Sequence, residues 1–367
     1  MPILLRAFKN NPFSFKTCRK ILLYFVLTVF ILLLIPYLFY TVYRFPETSP
    51  FKGDFVYNPY SEVEDVKWLK ANFHAHSRVW LGITNGSKNR INSLVKLYRG
   101  LGYDIVGISD YMRINKFLTN TDCYVPAYEH GYGWSKNHQI ILGDENVNWF
   151  DYPLFQTINN KQDMYNRLKT PDNLVAVAHP SLGKTHELSD FKFYTNYDCI
   201  EVLRHDRVSV EYWDAALSYG HFTTLLAVDD VHDFNSPGEL GRCFTMINSK
   251  SGSTKDILNA LKQGNSYGVD YLKGDKSYEE KKNYLPKLAK PENITLTGNK
   301  IAFQFSKPFN RLVFIGQNSA IKKEVKDTLC ADYDFTGNDT YIRVEVTFPE
   351  DIKYYFNPFI KLSLIHI

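Results

Sequence analysis

Between Ile21 and Tyr43 the chain runs for 23 residues without a charged side chain, and this run restricts what the whole protein can be. A helix of about 20 apolar residues matches the hydrocarbon thickness of a bilayer, so the composition predicts a transmembrane helix over 21–43. A cleaved signal peptide is the competing reading, but its apolar region is only about 7–15 residues long and ends in small residues. Here Tyr37, Phe39, Tyr40, Tyr43 and Phe45 stand where an Ala-x-Ala site would be. Tyrosines suit the lipid–water boundary, and Pro36 is tolerated in a membrane helix. Arg6, Lys9, Lys16, Arg19 and Lys20 precede the run, whereas only Arg44 and Lys52 follow it closely. The positive-inside rule then places residues 1–20 in the cytoplasm. The chain becomes a single-pass protein of the cell (inner) membrane, its bulk on the periplasmic or extracytoplasmic side.

Away from that basic end the 367-residue chain is close to neutral, with a formal charge of +4 overall. No basic tract interleaved with aromatics occurs, which argues against a dedicated nucleic-acid surface. The five cysteines are widely scattered and contain no C-x-x-C, so they read as buried apolar side chains.

A Pro-containing linker, 44–66, leads into alternating short apolar runs and amphipathic stretches. The runs at 67–73, 103–108, 139–142, 173–178, 197–203 and 223–228 read as strands. Residues 89–101, 210–219 and 254–263 carry helical spacing. Such alternation predicts an α/β fold with a parallel, barrel-like sheet over 67–270. A charged linker, 271–292, then precedes a β-rich region, 293–362, expected as a small β-sandwich-like domain able to contact a glycan or a protein partner.

Each candidate strand ends in a group able to bind a metal. The ends are His74-Ala75-His76, Ser109-Asp110, Gly143-Asp144-Glu145, His179-Pro180, Arg204-His205-Asp206 and Asp229-Asp230-Val231-His232. In a parallel barrel all C-terminal strand ends open on one face, so residues far apart in sequence would converge. Imidazole nitrogens and carboxylate oxygens suit divalent Zn, Mn or Fe. Arg78 and Arg204 are the nearest candidates for meeting negative charge on a substrate; Arg113 and Lys184 are weaker ones.

The set NFHAHS, GISDY, LGDEN, AVAHPS, IEVLRHD and AVDDVH, in this order across about Trp68–Gly268, resembles the PHP (polymerase and histidinol phosphatase) domain family. The resemblance implies a distorted (β/α)7 barrel, two or three divalent metal ions and hydrolysis of a small-molecule phosphoester by metal-activated hydroxide. It implies that His74, His76 and Asp230 hold one ion, that Glu145 bridges to a second held by His179 and His205, and that His232 faces a third position. Tyr111 stands where the family has a third-site histidine, which favours a binuclear site. Asp110 is then left to orient a neighbour or move a proton. The same chemistry also serves amide or other ester hydrolysis, and a membrane-tethered binding module without catalysis is the alternative from outside enzymology.

Overall fold

The computed structural model describes residues 15–61, 67–183, 185–271 and 276–363. Arg6, Lys9, Lys184 and the terminal 364–367 lie outside the described residues. The uncharged run forms a helix, Phe15–Leu38, that ends before Tyr43 and carries Pro36 in its last turn. Its stretch Thr17–Leu38 reaches a mean hydropathy of 2.7 with no fully buried residue in its most apolar part; near its end Tyr37 is partly buried against the protein. By length and composition this helix could cross a membrane. The linker adds a short strand, Phe55–Tyr57, paired with Ile352–Leu362.

The remainder is mixed α/β with a curled sheet. Lys67–Asn72 pairs in parallel with Ile105–Val106, and Leu174–Val177, Cys199–Arg204 and Thr224–Ala227 pair in parallel with one another. Gln139–Leu142 runs antiparallel to both its neighbours, Ala127–His130 and Leu174–Val177. Two isolated parallel bridges, Ala75 to Val231 and Tyr111 to Glu129, join the two sheets at their seams. Mostly small and branched side chains, among them Ala71, Ala127, Ile140, Ala176, Cys199 and Leu226, pack together with Phe73 in a buried cluster between them.

The helix-after-every-strand pattern of a (β/α)7 barrel is not what the chain forms. Among the described residues, helices fill three of the connections between these strands, at Ile91–Gly100, Ile158–Leu168 and Val210–Ser218. The reason for the reversed strand is chain length. Only residues 131–138 separate Ala127–His130 from Gln139–Leu142, and a parallel crossover needs a dozen residues or more. A strand so closely followed by another must turn back on itself.

The C-terminal region likewise departs from the expected β-sandwich. Its strands Pro291–Thr297, Lys300–Gly316, Tyr341–Phe348 and Ile352–Leu362 continue one ten-stranded sheet through Ser266–Asp270 and Cys243–Ser249 to Lys67–Asn72. Ala320–Asp334 pairs with Lys300–Gly316 as an edge strand, and its lysines Lys322, Lys323 and Lys326 protect that edge from pairing with other chains. The charged stretch read as a linker contains a helix, Tyr278–Tyr284, capped by Ser277. Of the cysteines, Cys199 and Cys243 are buried as expected, whereas Cys18 and Cys330 are exposed.

Asn357 ties the two regions together. Fully buried, it accepts from the backbone N–H of Leu225 at 2.9 Å and donates to the carbonyls of Gly264 at 3.1 Å and Ser266 at 2.9 Å. Asn357→Ala strands these groups without partners, at a cost of about 2–3 kcal/mol. Thermal unfolding followed by circular dichroism in detergent will show one transition moved to lower temperature. An unmoved transition for the metal-site half would mean that the C-terminal strands fold separately.

Candidate metal centre

Strand alternation aims the polar residues. Successive side chains point to opposite faces, so Glu129 follows Ala127, and Glu201 follows Cys199, into the same interior. His74 and His76, two apart, share a side, while Ala75 between them faces the opposite cluster. The backbone is held in place by Asp230 N–H donating to His74 O at 2.8 Å and His76 N–H donating to Val231 O at 3.0 Å. His179 and Asp230 both adopt positive φ, 29° and 54°. Such conformations are uncommon for non-glycine residues and are kept here by the surrounding pairing.

Four buried donor atoms then meet. His74 Nε2 lies 3.1 Å from His76 Nε2 and 3.1 Å from Asp230 Oδ1; His76 Nε2 lies 3.2 Å from Asp230 Oδ1. Glu129 Oε2 is 3.1 Å from His76 Nε2 and 3.4 Å from His74 Nε2. Donors set tetrahedrally around an ion at 2.0–2.1 Å stand about 3.3–3.4 Å apart, so this spacing fits a small divalent cation. The second oxygen of Glu129 faces another pair, His138 Nδ1 at 2.6 Å and His179 Nε2 at 3.2 Å. Glu129 Oε2 and His138 Nδ1 have no aligned hydrogen bond despite these short contacts, as lone pairs would that converge on a common point. Groups able to hold an ion are thus His74–His76–Glu129, Glu129–His138–His179, His74–His179–Asp230 and His76–Asp230–His232.

The surroundings set the charge. His74 Nδ1 is 2.7 Å from Glu201 Oε1, which draws the ring proton to that nitrogen and leaves Nε2 free to bind. Burial disfavours a charged imidazole, yet the facing carboxylates outweigh it and push His76 up to about 9 and His74 well above its ordinary value. Burial alone would raise Glu129 and Asp230, but the histidines around them hold both well below the usual carboxylate range. Arg204 Nε, 2.6 Å from Asp230 Oδ2, adds to that effect.

Five of the seven expected metal ligands, His74, His76, His179, Asp230 and His232, fall in these groups. Glu145 does not: it is exposed, and the buried Glu129 is the glutamate found in two of these groups. Reversal of the Gln139–Leu142 strand explains this. Its N-terminal end, His138, opens on the site and its C-terminal end points the other way, so His138, which belongs to none of the sequence motifs, is brought in. His205 stays outside the groups, with Nδ1 2.5 Å from the carbonyl of Asp229. Asp110 accepts from Ser77 N–H at 2.6 Å and Asn115 Nδ2 at 2.9 Å, and so clasps the loop after His76. Arg78 is exposed beside Gly82, in a separate cavity with Arg90 and Arg113. Arg204 is committed to Asp230 and Asp206. Tyr111 stacks on His76 with ring centroids 4.3 Å apart, and its hydroxyl reaches His232 Nε2 at 3.3 Å.

Glu129 and Glu201 leave a faint trace in the sequence. Each is a lone acid within an otherwise apolar run, VPAYEH and CIEVL, where alternation alone turns it inward.

No family model matches the chain. No curated protein matches it either. Among solved structures it is similar to a two-domain protein from Bacteroides vulgatus ATCC 8482 containing a predicted PHP-like metal-dependent phosphoesterase. Identity is 14%, the match covers 86% of this chain and 99% of that one, and the TM-score is 0.41.

The two carboxylates make opposite predictions. Glu129→Gln will reduce the metal retained after gel filtration, measured by plasma mass spectrometry, whereas Glu145→Gln will leave it unchanged. Glu201→Gln will weaken binding by about 10–100-fold. Because His76 holds a proton up to about pH 9, and an entering cation must displace it, affinity will rise with pH towards that value.

Proposed function

We propose that the chain is a membrane-anchored, metal-dependent phosphoesterase whose site holds two divalent cations, Zn, Mn or Fe, bridged by Glu129. One observation carries the reading: the two oxygens of a single buried carboxylate face two different pairs of imidazoles. His74, His76 and Asp230 would hold one ion, and His138 and His179 the other, with His232 beside the first. Bound there, the ions would acidify a water and offset charge on a phosphoryl group.

The protein's own groups prepare that chemistry. Glu201 fixes the tautomer of His74 and also accepts from the backbone N–H of His179 at 2.7 Å, so one carboxylate positions both ion-binding regions. Arg204 keeps Asp230 ionised. Tyr111 stacks on His76 and also lines a neighbouring cavity with Trp80 and Trp149. In the net reaction, water's oxygen bonds to phosphorus, the P–O bond to the alcohol breaks, and a proton ends on the departing alcohol.

The choice of a phosphoester is supported by the order of the motifs, and the anchor by the unburied apolar helix. That helix reads as retained rather than cleaved, because the Tyr37 hydroxyl donates to Phe155 O at 2.8 Å and accepts from Leu154 N–H at 2.8 Å. The catalytic unit would comprise residues 67–270, on the extracytoplasmic side.

Purified full-length protein loaded with Mn²⁺ or Zn²⁺ will release phosphate from an aryl phosphate. Glu129→Gln and His138→Ala will each lower kcat/KM by about a hundredfold or more. Full metal content with no turnover of any phosphoester would overturn the assignment.

A further inference from the structure

Beside the candidate metal centre lies a cavity of about 670 Å³ lined by Trp80, Ile83, Tyr111, Met112, Tyr132 and Trp149, with no charged side chain among the described residues of its wall. Tyr111 belongs to both, since the same ring stacks on His76. Large apolar side chains among or adjoining these wall residues in the chain are exposed. Leu81 is 96% exposed, Ile83 86% and Trp134 88%. Isolated exposed apolar residues are ordinary, but a contiguous run of large ones marks a surface with an apolar partner.

That surface leads to the end of the membrane helix. Tyr37, in the last helical turn, packs on Phe155 and Tyr152 with ring centroids 4.9 and 5.3 Å apart. Trp134 N–H donates to Pro153 O at 2.8 Å, and Tyr132 OH donates to Trp149 O at 3.1 Å. Trp149 meets Trp80 edge to face at 6.0 Å, and Trp80 Nε1 donates to Tyr111 O at 2.8 Å. Ring contacts, hydrogen bonds and the short stretches of chain 132–134 and 152–155 therefore connect the helix end to the candidate metal centre. Residues beside Tyr37 lie at the depth where a spanning helix leaves the hydrocarbon. Tryptophan and tyrosine favour that depth because one end of the ring system is apolar and the other polar.

We infer that the substrate is the phosphoester of a membrane lipid, taken from the bilayer interface. Its phosphate reaches the metal centre, its apolar part occupies the Trp80–Trp149 cavity, and Leu81 and Trp134 dip into the headgroup layer. This inference rests on the phosphoesterase reading and on a retained anchor. A lipid phosphomonoester would gain water across its P–O bond and leave as inorganic phosphate and the lipid alcohol, which stays in the membrane.

The test uses the full chain in phosphatidylcholine vesicles. Headgroup-nitroxide lipids will quench tryptophan emission, and Trp134→Phe will remove a clear share of the quenched signal. Unaltered quenching in that variant overturns the bilayer contact, whatever the enzyme hydrolyses. With phosphatidic acid in the same vesicles and p-nitrophenyl phosphate in solution, the lipid will be preferred by about tenfold or more in kcat/KM. The double variant Leu81→Asn/Trp134→Ser will lower lipid turnover by about fivefold and leave aryl phosphate turnover within about twofold. Preference for the soluble ester, or equal loss on both, overturns the inference while leaving the phosphoesterase reading intact. Hydrolysis of neither ester by metal-loaded protein overturns the phosphoesterase reading, and the lipid-substrate inference with it.

Discussion

A carboxylate removed from water cannot remain charged unless cations lie within reach, and Glu129 has no exposed surface at all. Its two oxygens are met by imidazoles from three separate stretches of chain: His74 and His76 after one strand, His138 before another, His179 after a third. This arrangement explains why so many otherwise costly groups are buried together. The strands that bring them there are short, and among the described residues two isolated bridges close the seams between the sheets. The polar centre must therefore be satisfied for that end of the sheet to hold its shape.

The supporting contacts follow from that requirement. Glu201 takes the outer nitrogen of His74, and Arg204 lies against Asp230. Behind them Asp229 accepts from the backbone N–H groups of Gly241, Arg242 and Cys243 and from Tyr98 OH, which anchors the turn that presents Asp230. Adjacent aspartates thus do different work: Asp229 holds backbone, and Asp230 faces the imidazoles.

Much of this is legible in the order of the residues alone. The strand 139–142 and the helix 254–263 coincide with their apolar patterns residue for residue, the first as a short unbroken apolar run and the second through its helical period. His74, His76, His179 and Asp230 follow apolar runs that are parallel strands, so their C-terminal ends point to the site. Glu145 fails for the same reason that the others succeed: its strand runs the other way, and sequence periodicity carries no direction. The helix Ile158–Leu168 carries only four apolar residues, Ile158, Met164, Tyr165 and Leu168, and buries Asn160, Lys161, Gln162 and Asp163 beside them. Its capping box at Thr157 and Asn160 is the signal that marks it. The edge strand Ala320–Asp334 is hidden by its own lysines, which replace the apolar alternation that marks a strand.

The geometry also connects two features that look unrelated in the sequence, an apolar helix at one end and scattered histidines in the middle. Tyr37 packs on Phe155 and Tyr152 at the helix end, and Tyr111 stacks on His76 at the candidate metal centre; ring contacts, hydrogen bonds and short stretches of chain lie between them.

The central claim is that Glu129 bridges two cations, and electron paramagnetic resonance of the Mn²⁺-loaded protein tests it most directly. The account predicts the spectrum of a spin-coupled pair that reverts to an uncoupled single ion in Glu129→Gln. A six-line signal from one isolated Mn²⁺ in the unaltered protein at saturating metal would contradict it.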